Sequence, residues 1–327
     1  MDNVTNPEVI LSVKNLVKDF PIGQSAKSNL MRAVNDVTFE LRKGEALAIV
    51  GESGSGKSTG ARVLTRIYDK TDGEVTFKGQ ELGEYIQEHG ELEYARQVQM
   101  IFLFPFGSLN PVHTIYHHIA RPLLIHKRAE KDAIPKLVYE LLELVGLSPV
   151  KETAEKYPHE LSGGQRQRVA IARAIAVDPE VILADEPISM LDVSVRLGIL
   201  NLMSDLKDKH GISFMYITHD IATARYFAEK TAVMYVGHMV EWGNSDNVTQ
   251  NPQHPYSQLL LSAVPEVGNS GKRDLMAKKG EIPLWKPSSV GCPFASRCLK
   301  ATEVCTQSVP EATKVGEDHY ARCHHLG

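Results

Sequence analysis

Gly51-Glu52-Ser53-Gly54-Ser55-Gly56-Lys57-Ser58-Thr59, written GESGSGKST, decides how this chain folds. An apolar run, Ala46 to Val50, leads into it, and the residues after it read as a helix. The spacing is G-x-x-x-x-G-K-[ST] in a strand–loop–helix setting, the pattern of a phosphate loop (P-loop). Gly51, Gly54 and Gly56 let the backbone turn tightly enough to aim several N–H groups at one point. The following helix adds its positive N-terminal end. Lys57 brings a full charge suited to β- and γ-phosphates, and Ser58 a hydroxyl suited to Mg2+. Glu52, Ser53, Ser55 and Thr59 fill the remaining positions of the stretch. A chance glycine loop beside a lysine is the alternative, and the flanking strand and helix argue against it. The loop therefore implies a bound nucleoside triphosphate.

The bulk numbers narrow the classes. At 327 residues there is room for one large domain with an appendage, or for two. Hydrophobic content of 43% and charged content of 23% are ordinary for a globular protein. A net charge of −4 gives no basic field calling for nucleic acid. No apolar run approaches the roughly 18–20 residues that span a bilayer, and the polar start MDNVTNPEVI does not read as a secretory signal. The expectation is a cytosolic protein that reaches a membrane only by docking onto something that spans it.

Outward from the loop, residues 8–20, 33–41, 74–78 and 97–102 read as strands. A helix is expected from about 57 to 68. From about 110 to 178 the pattern turns helical, with apolar stripes over 136–145 and 166–177. Beyond it, strands at 181–185, 212–218, 231–236 and 238–242 alternate with helices at 193–209 and 221–229. Strands alternating with helices imply an α/β fold whose mostly parallel sheet is covered on both faces. The helical stretch interrupts that alternation and reads as a subdomain. Residues 251–290, with five prolines, read as an irregular connector carrying a short helix near Pro255–Ser262.

Four further elements carry chemistry. LSGGQ, Leu161 to Gln165, precedes an amphipathic helix. Ser162 suits an N-cap, and Gly163 and Gly164 leave backbone N–H groups uncovered at the helix start, with Gln165 closing the motif. One triphosphate needs only one P-loop, so a second anion-binding device asks for an explanation. VILADEP, Val181 to Pro187, is an apolar strand that delivers Asp185 and Glu186 at its carboxyl end, where open α/β sheets bind ligands. Asp185 suits the water shell of Mg2+, and Glu186 suits polarising an attacking water. SMLD, Ser189 to Asp192, lies just beyond. His219, after ISFMYIT, could offer a ring N–H to a γ-phosphate.

P-loop, LSGGQ, the apolar strand ending Asp-Glu, a short D-loop and a histidine after the next strand together resemble the ABC-transporter ATPase family over roughly residues 8–250. The resemblance implies a P-loop NTPase of ABC type, with an antiparallel β subdomain and a helical subdomain at about 110–178. It also explains the two anion sites. In that family the LSGGQ of one subunit faces the P-loop of another, so that two ATPs are sandwiched in a head-to-tail dimer. It implies that Asp192 belongs to the nucleotide site and that Phe20 stacks on adenine. One departure stands out. Family members commonly carry a glutamine where this chain has Leu103, and often an acid where it has Phe104. A leucine cannot ligate Mg2+ or orient water. Two outcomes stay open: a site that binds ATP but turns it over slowly, or one for which Glu186 and His219 suffice.

The four cysteines, Cys292, Cys298, Cys305 and Cys323, all fall in the final 36 positions. Their spacing, C-x5-C-x6-C-x17-C, lacks the tight pair of common zinc sites, and disulfides are disfavoured in the cytosol. Four thiolates suit a [4Fe–4S] cluster or tetrahedral zinc, and four unrelated structural cysteines are the alternative. The tail, QNPQHPYSQLLLSAVPE followed by GCPFASRC, resembles the C-terminal region of oligopeptide/dipeptide importer ATPases, and the resemblance favours the iron–sulfur cluster over zinc. It further implies residues 1–250 as an ATP-binding domain and 251–327 as an importer-type extension. The implied partners are a second ATPase subunit, with Leu103 pointing to a paralogue, two membrane permease subunits and an extracytoplasmic solute-binding protein. The implied location is the cytoplasmic face of the cell membrane.

Overall fold

The computed structural model describes residues 7–23, 29–103, 105–263, 277–278, 280 and 282–326. The expectations for the N-terminal six residues, for Phe104 and for much of the 251–290 connector lie outside the described residues. Along the chain run β1 (Val9–Pro21), β2 (Leu30–Arg42), β3 (Ala46–Val50), α1 (Lys57–Leu64), β4 (Asp72–Phe77), β5 (Gln80–Glu81), α2 (Leu82–His89), α3 (Glu91–Gln97) and β6 (Val98–Ile101). Then come α4 (Pro105–Ser108), α5 (Ile115–Ile125), α6 (Ile134–Leu144), α7 (Val150–Glu155), α8 (Gly163–Ile175), β7 (Val181–Asp185), α9 (Val193–His210) and β8 (Ser213–Thr218). The last are α10 (Ile221–Phe227), β9 (Lys230–Tyr235), β10 (His238–Asn244), α11 (Ser245–Gln250), α12 (Pro255–Ser262), α13 (Val304–Gln307), β11 (Thr313–Gly316) and β12 (His319–Ala321). They fall into two compact units.

The first unit comprises Met1–Glu8, Arg42–Glu45 and Gln80–Met215. Its strands β6 and β7 pair in parallel, Val98 opposite Val181 through Ile101 opposite Ala184. Every residue of β7 is buried, as a strand covered on both faces requires. Helices α5 and α6 pack because each presents an apolar stripe. Ile115, Ile119 and Leu123 line one side of α5, and Ile134, Val138 and Leu142 repeat at i, i+4, i+8 on α6. Each such side chain contributes roughly 1.5–3 kcal/mol by leaving water. The stripe expected over 136–145 is α6, and that expected over 166–177 is α8. Helices α2 and α3 lie where the reading placed no element. Only Leu82, Tyr85, Tyr94 and Gln97 are buried along them, too few to print a period.

The second unit comprises Val9–Leu41, Ala46–Gly79 and Tyr216–Gly327. Strands β2, β1 and β4 lie side by side, β1 and β4 antiparallel, with Leu11 opposite Phe77. The buried β3 pairs in parallel with β9. Strand β9 turns through Val236 (φ +47°) and Gly237 (φ +78°) into antiparallel β10, the two-residue hairpin turn with both φ positive. Strand β12 then adds to β10, with Trp242 opposite Tyr320, and β11 adds to β12. Helix α1 ends at Leu64, four residues short of the expectation. Arg66 enters the left-handed region at φ +60°, and the Tyr68 N–H donates back to the Arg62 carbonyl at 3.0 Å. That turn brings Tyr68 edge-on to Phe20, with ring centroids 5.3 Å apart.

Candidate nucleotide site

The P-loop lies in the second unit, between β3 and α1. Gly54 and Gly56 take φ +82° and +100°, where L-residues with a Cβ are strained. At Gly56 a Cβ would also stand 2.2 Å from the Ala33 carbonyl oxygen, so nothing larger than glycine fits. Gly51 and Ser55 are buried, while Ser53 and Gly54 are exposed. Lys57 is buried, and its Nζ donates to the Gly51 and Glu52 carbonyls at 2.6 and 2.9 Å and to Ser55 Oγ at 3.3 Å. The ammonium is thus folded over the loop that it would share with phosphate. Helix α1 starts with no side-chain cap and no acid in its first turn. Uncapped amides, a helix start and a buried lysine fit a polyphosphate. Ser58 and Thr59 are the first residues behind Lys57, both half-buried.

Phe20 is half-buried near the end of β1, with Lys18 Nζ 4.9 Å from its ring centre. The reading missed Tyr68, its aromatic neighbour, because a tyrosine beyond a helix end carries no local signal. His219 also belongs to the second unit. It is exposed, directly after β8, next to Asp220, which caps α10 by accepting the Ala222 N–H at 2.9 Å.

The other motifs lie in the first unit. Ser162 caps α8 through a reciprocal box: its Oγ accepts the Gln165 N–H at 3.3 Å, and Gln165 Oε1 accepts the Ser162 N–H at 2.9 Å. Ser162 and Gln165 are exposed, and no acid occupies the first turn. A Cβ on Gly164 would sit 2.5 Å from Val195 Cγ1, so glycine lets α8 start against α9. Leu191 lies beside Gly163, and Asp192, at the start of α9, is exposed. Asp185 is buried at the end of β7. Glu186 follows with φ +48°, and its carbonyl accepts from Ser189 Oγ at 3.1 Å. Leu103 is half-buried in the bend after β6.

Residues 34–189 match the family model described as ABC transporter, and residues 240–305 match the one described as oligopeptide/dipeptide transporter, C-terminal region. The oligopeptide transport ATP-binding protein AppF of Bacillus subtilis is 40% identical over 324 residues, covering 98% of both chains. The chain belongs to the ABC transporter ATP-binding family, in its oligopeptide/dipeptide branch. The dipeptide transport ATP-binding protein DppF of Escherichia coli is 40% identical, covering 95% of this chain and 93% of that one. Among solved structures, the dimeric ATP-binding cassette MJ0796 bound to ADP and Pi aligns with a TM-score of 0.64 at 29% identity, over 72% of this chain and 99% of that one. The family's ABC-type α/β fold and its ATPase activity are therefore those of this chain. No described helix is long and apolar enough to cross a membrane.

The expectation of a metal cluster in the tail is corrected. Among the described residues no group of three or more His, Cys, Asp or Glu side chains could hold a metal ion. That removes the [4Fe–4S] cluster and the zinc alternative alike, and the printed names of the relatives mention neither. All four cysteines are free thiols. Burial pushes the Cys292 thiol up to about 11 and raises Cys298 and Cys323. Cys323 Sγ accepts the His325 N–H at 3.4 Å, and the Cys305 carbonyl accepts the Cys292 N–H at 2.7 Å. Cys298 and Cys305 are buried, and Cys292 and Cys323 are half-buried.

Proposed function

We propose that this chain is the ATP-hydrolysing subunit of an importer for oligopeptides or related small solutes. It works as a head-to-tail pair on two permease subunits at the cytoplasmic face of the membrane, with a solute-binding protein outside. Residues 1–250 form the ATP-binding domain and 251–327 the importer-type extension. The observation that carries the pairing is the Ser162–Gln165 helix start. Its glycines suit an anion, Ser162 and Gln165 lie exposed, and the segment that packs beside them through Leu191 and Val195 carries uncovered apolar side chains, Met190 at 55%, Val193 at 79% and Leu197 at 51% exposure. Such residues beside an anion site fit burial under a partner subunit.

Side-chain chemistry and motif order assign the roles. Lys57 and the loop amides neutralise phosphate charge, Phe20 stacks on adenine, and Ser58 and Asp185 are the residues that would hold Mg2+. Glu186 polarises the attacking water, and His219 donates to the γ-phosphate. Mg2+, when bound, supplies charge neutralisation at the phosphoryl oxygens. Ser162, Gly163, Gly164, Gln165 and Asp192 serve the partner's nucleotide. The test is purification with co-expressed permease subunits into liposomes. Peptide-loaded binding protein is expected to stimulate ATPase and uptake together. ATPase that ignored both the permeases and the loaded binding protein would reject the importer reading.

Leu103 favours a second reading: a slowly hydrolysing or regulatory copy paired with an active paralogue. Leu103→Gln is expected to raise the ATPase rate of the assembled complex severalfold. An unchanged rate would show that Glu186 and His219 suffice.

A further inference from the structure

Glu52 is the first variable residue of the P-loop, and a carboxylate there opposes any polyphosphate that the loop binds. It is not left uncompensated. Arg297, from the cysteine-bearing tail 245 positions away, closes on it with both arms: Nη1 donates to Oε2 at 2.7 Å and Nη2 to Oε1 at 3.1 Å. This fork is the strongest geometry an ion pair adopts. The pair is partly withdrawn from water, with Arg297 13% and Glu52 32% exposed, so solvent screens it less than a surface bridge.

A second tail residue holds the same loop position. The Glu52 N–H donates to the hydroxyl of Tyr256, a buried residue of α12, at 2.8 Å. The Glu52 carbonyl accepts from Lys57 Nζ at 2.9 Å. Glu52 is therefore tied through its amide, its side chain and its carbonyl. Arg297 is itself fixed. It lies over the Tyr235 and Phe294 rings at 5.8 and 5.7 Å, and its carbonyl accepts the Lys278 N–H at 2.9 Å. Tyr235, Tyr256 and Phe294 pack on one another with centroids 4.6–5.4 Å apart.

We propose that the tail is a positioning element of the nucleotide site: Arg297 cancels the Glu52 charge, and together with Tyr256 it fixes the entry of the P-loop. The proposal rests on the reading that this loop binds ATP. Arg297 and Tyr256 are positioning residues, and they act through Glu52. Loss of Arg297 leaves a carboxylate beside the phosphates without its counter-charge. ATP affinity should fall while the hydrolytic groups stay intact.

The test is titration of the full-length chain with a fluorescent ATP analogue, paired with KM and kcat of the assembled complex and a melting curve for each variant. Arg297→Met keeps the bulk over the aromatic rings and is expected to raise Kd and KM about tenfold, equivalent to about 1.4 kcal/mol, with kcat within twofold. Adding Glu52→Gln to Arg297→Met removes the uncompensated charge and should restore most of the affinity, and Arg297→Lys should fall between. Tyr256→Phe removes only the hydroxyl and should weaken binding severalfold. Wild-type affinity in both Arg297→Met and Tyr256→Phe would overturn the proposal. So would a double variant as weak as Arg297→Met alone, since a general loss of tail packing is not repaired by removing a charge. A wild-type chain that bound no nucleotide would instead overturn the ATP-binding reading beneath it.

Discussion

Glu186 takes φ +48° at the end of a strand whose five residues are all buried. A left-handed conformation costs a non-glycine residue about 1–2 kcal/mol, and such strain persists where surroundings hold it, often at functional positions. In the proposed mechanism it aims a carboxylate at water. Glu186→Gln keeps size and shape but loses the base. It is expected to leave ATP affinity within twofold and to slow turnover by about 10²–10⁴, read as phosphate release in a single-turnover assay. Unaltered release would assign the water to another group. At this scale the sequence was legible where motifs are local: the P-loop, LSGGQ and Asp185-Glu186 stand as contiguous strings. It was silent on Arg297, since nothing near Glu52 or near Arg297 announces a partner 245 positions away.

Helices α8 and α9 show how one glycine sets an element's place. Gly164 opens α8 where a Cβ would stand 2.5 Å from Val195 Cγ1. Gly164→Ala forces the two helix starts apart and should cost about 1–3 kcal/mol, measured by urea denaturation. Val195→Ala added to it removes the clash and should recover most of that loss. If Gly164→Ala is neutral, the helices have room that this packing does not show. Elements with a strong period were legible: β7 and α12 fall where the pattern puts them, and α6 and α9 within two residues. Short polar elements were not. Strands β11 and β12 hold seven residues between them and owe their existence to pairing, β12 on β10 and β11 on β12. The cysteine spacing misled because free thiols and metal-bound thiols can cluster alike in sequence.

Across the whole molecule, the second unit is held by buried neutral histidines. His238 donates from Nδ1 to the Val236 carbonyl at 2.7 Å and accepts at Nε2 from the Asn35 amide, which Arg32 orients through its oxygen. His254 accepts the Tyr256 N–H at Nδ1, at 3.0 Å. Burial holds these rings down to about 4 and about 3, against 6.5 when free. The folded values are depressed, so their stabilisation is complete above about pH 6.5 and is lost as pH falls towards 4. His238 alone accounts for a loss on the order of 3 kcal/mol across that window. The urea midpoint should therefore drop steeply between pH 6.5 and 4, and His238→Asn should flatten that slope. An unchanged slope would place the acid sensitivity elsewhere. The grip of Arg297 on Glu52 also has a bearing on biosynthesis. A ribosome adding about 5–20 residues per second needs roughly 12 to 50 s to travel the 245 positions between them. Throughout that interval the emerging chain carries an unfinished nucleotide loop, and it acquires the finished one only once Arg297 has been made and has folded back onto Glu52.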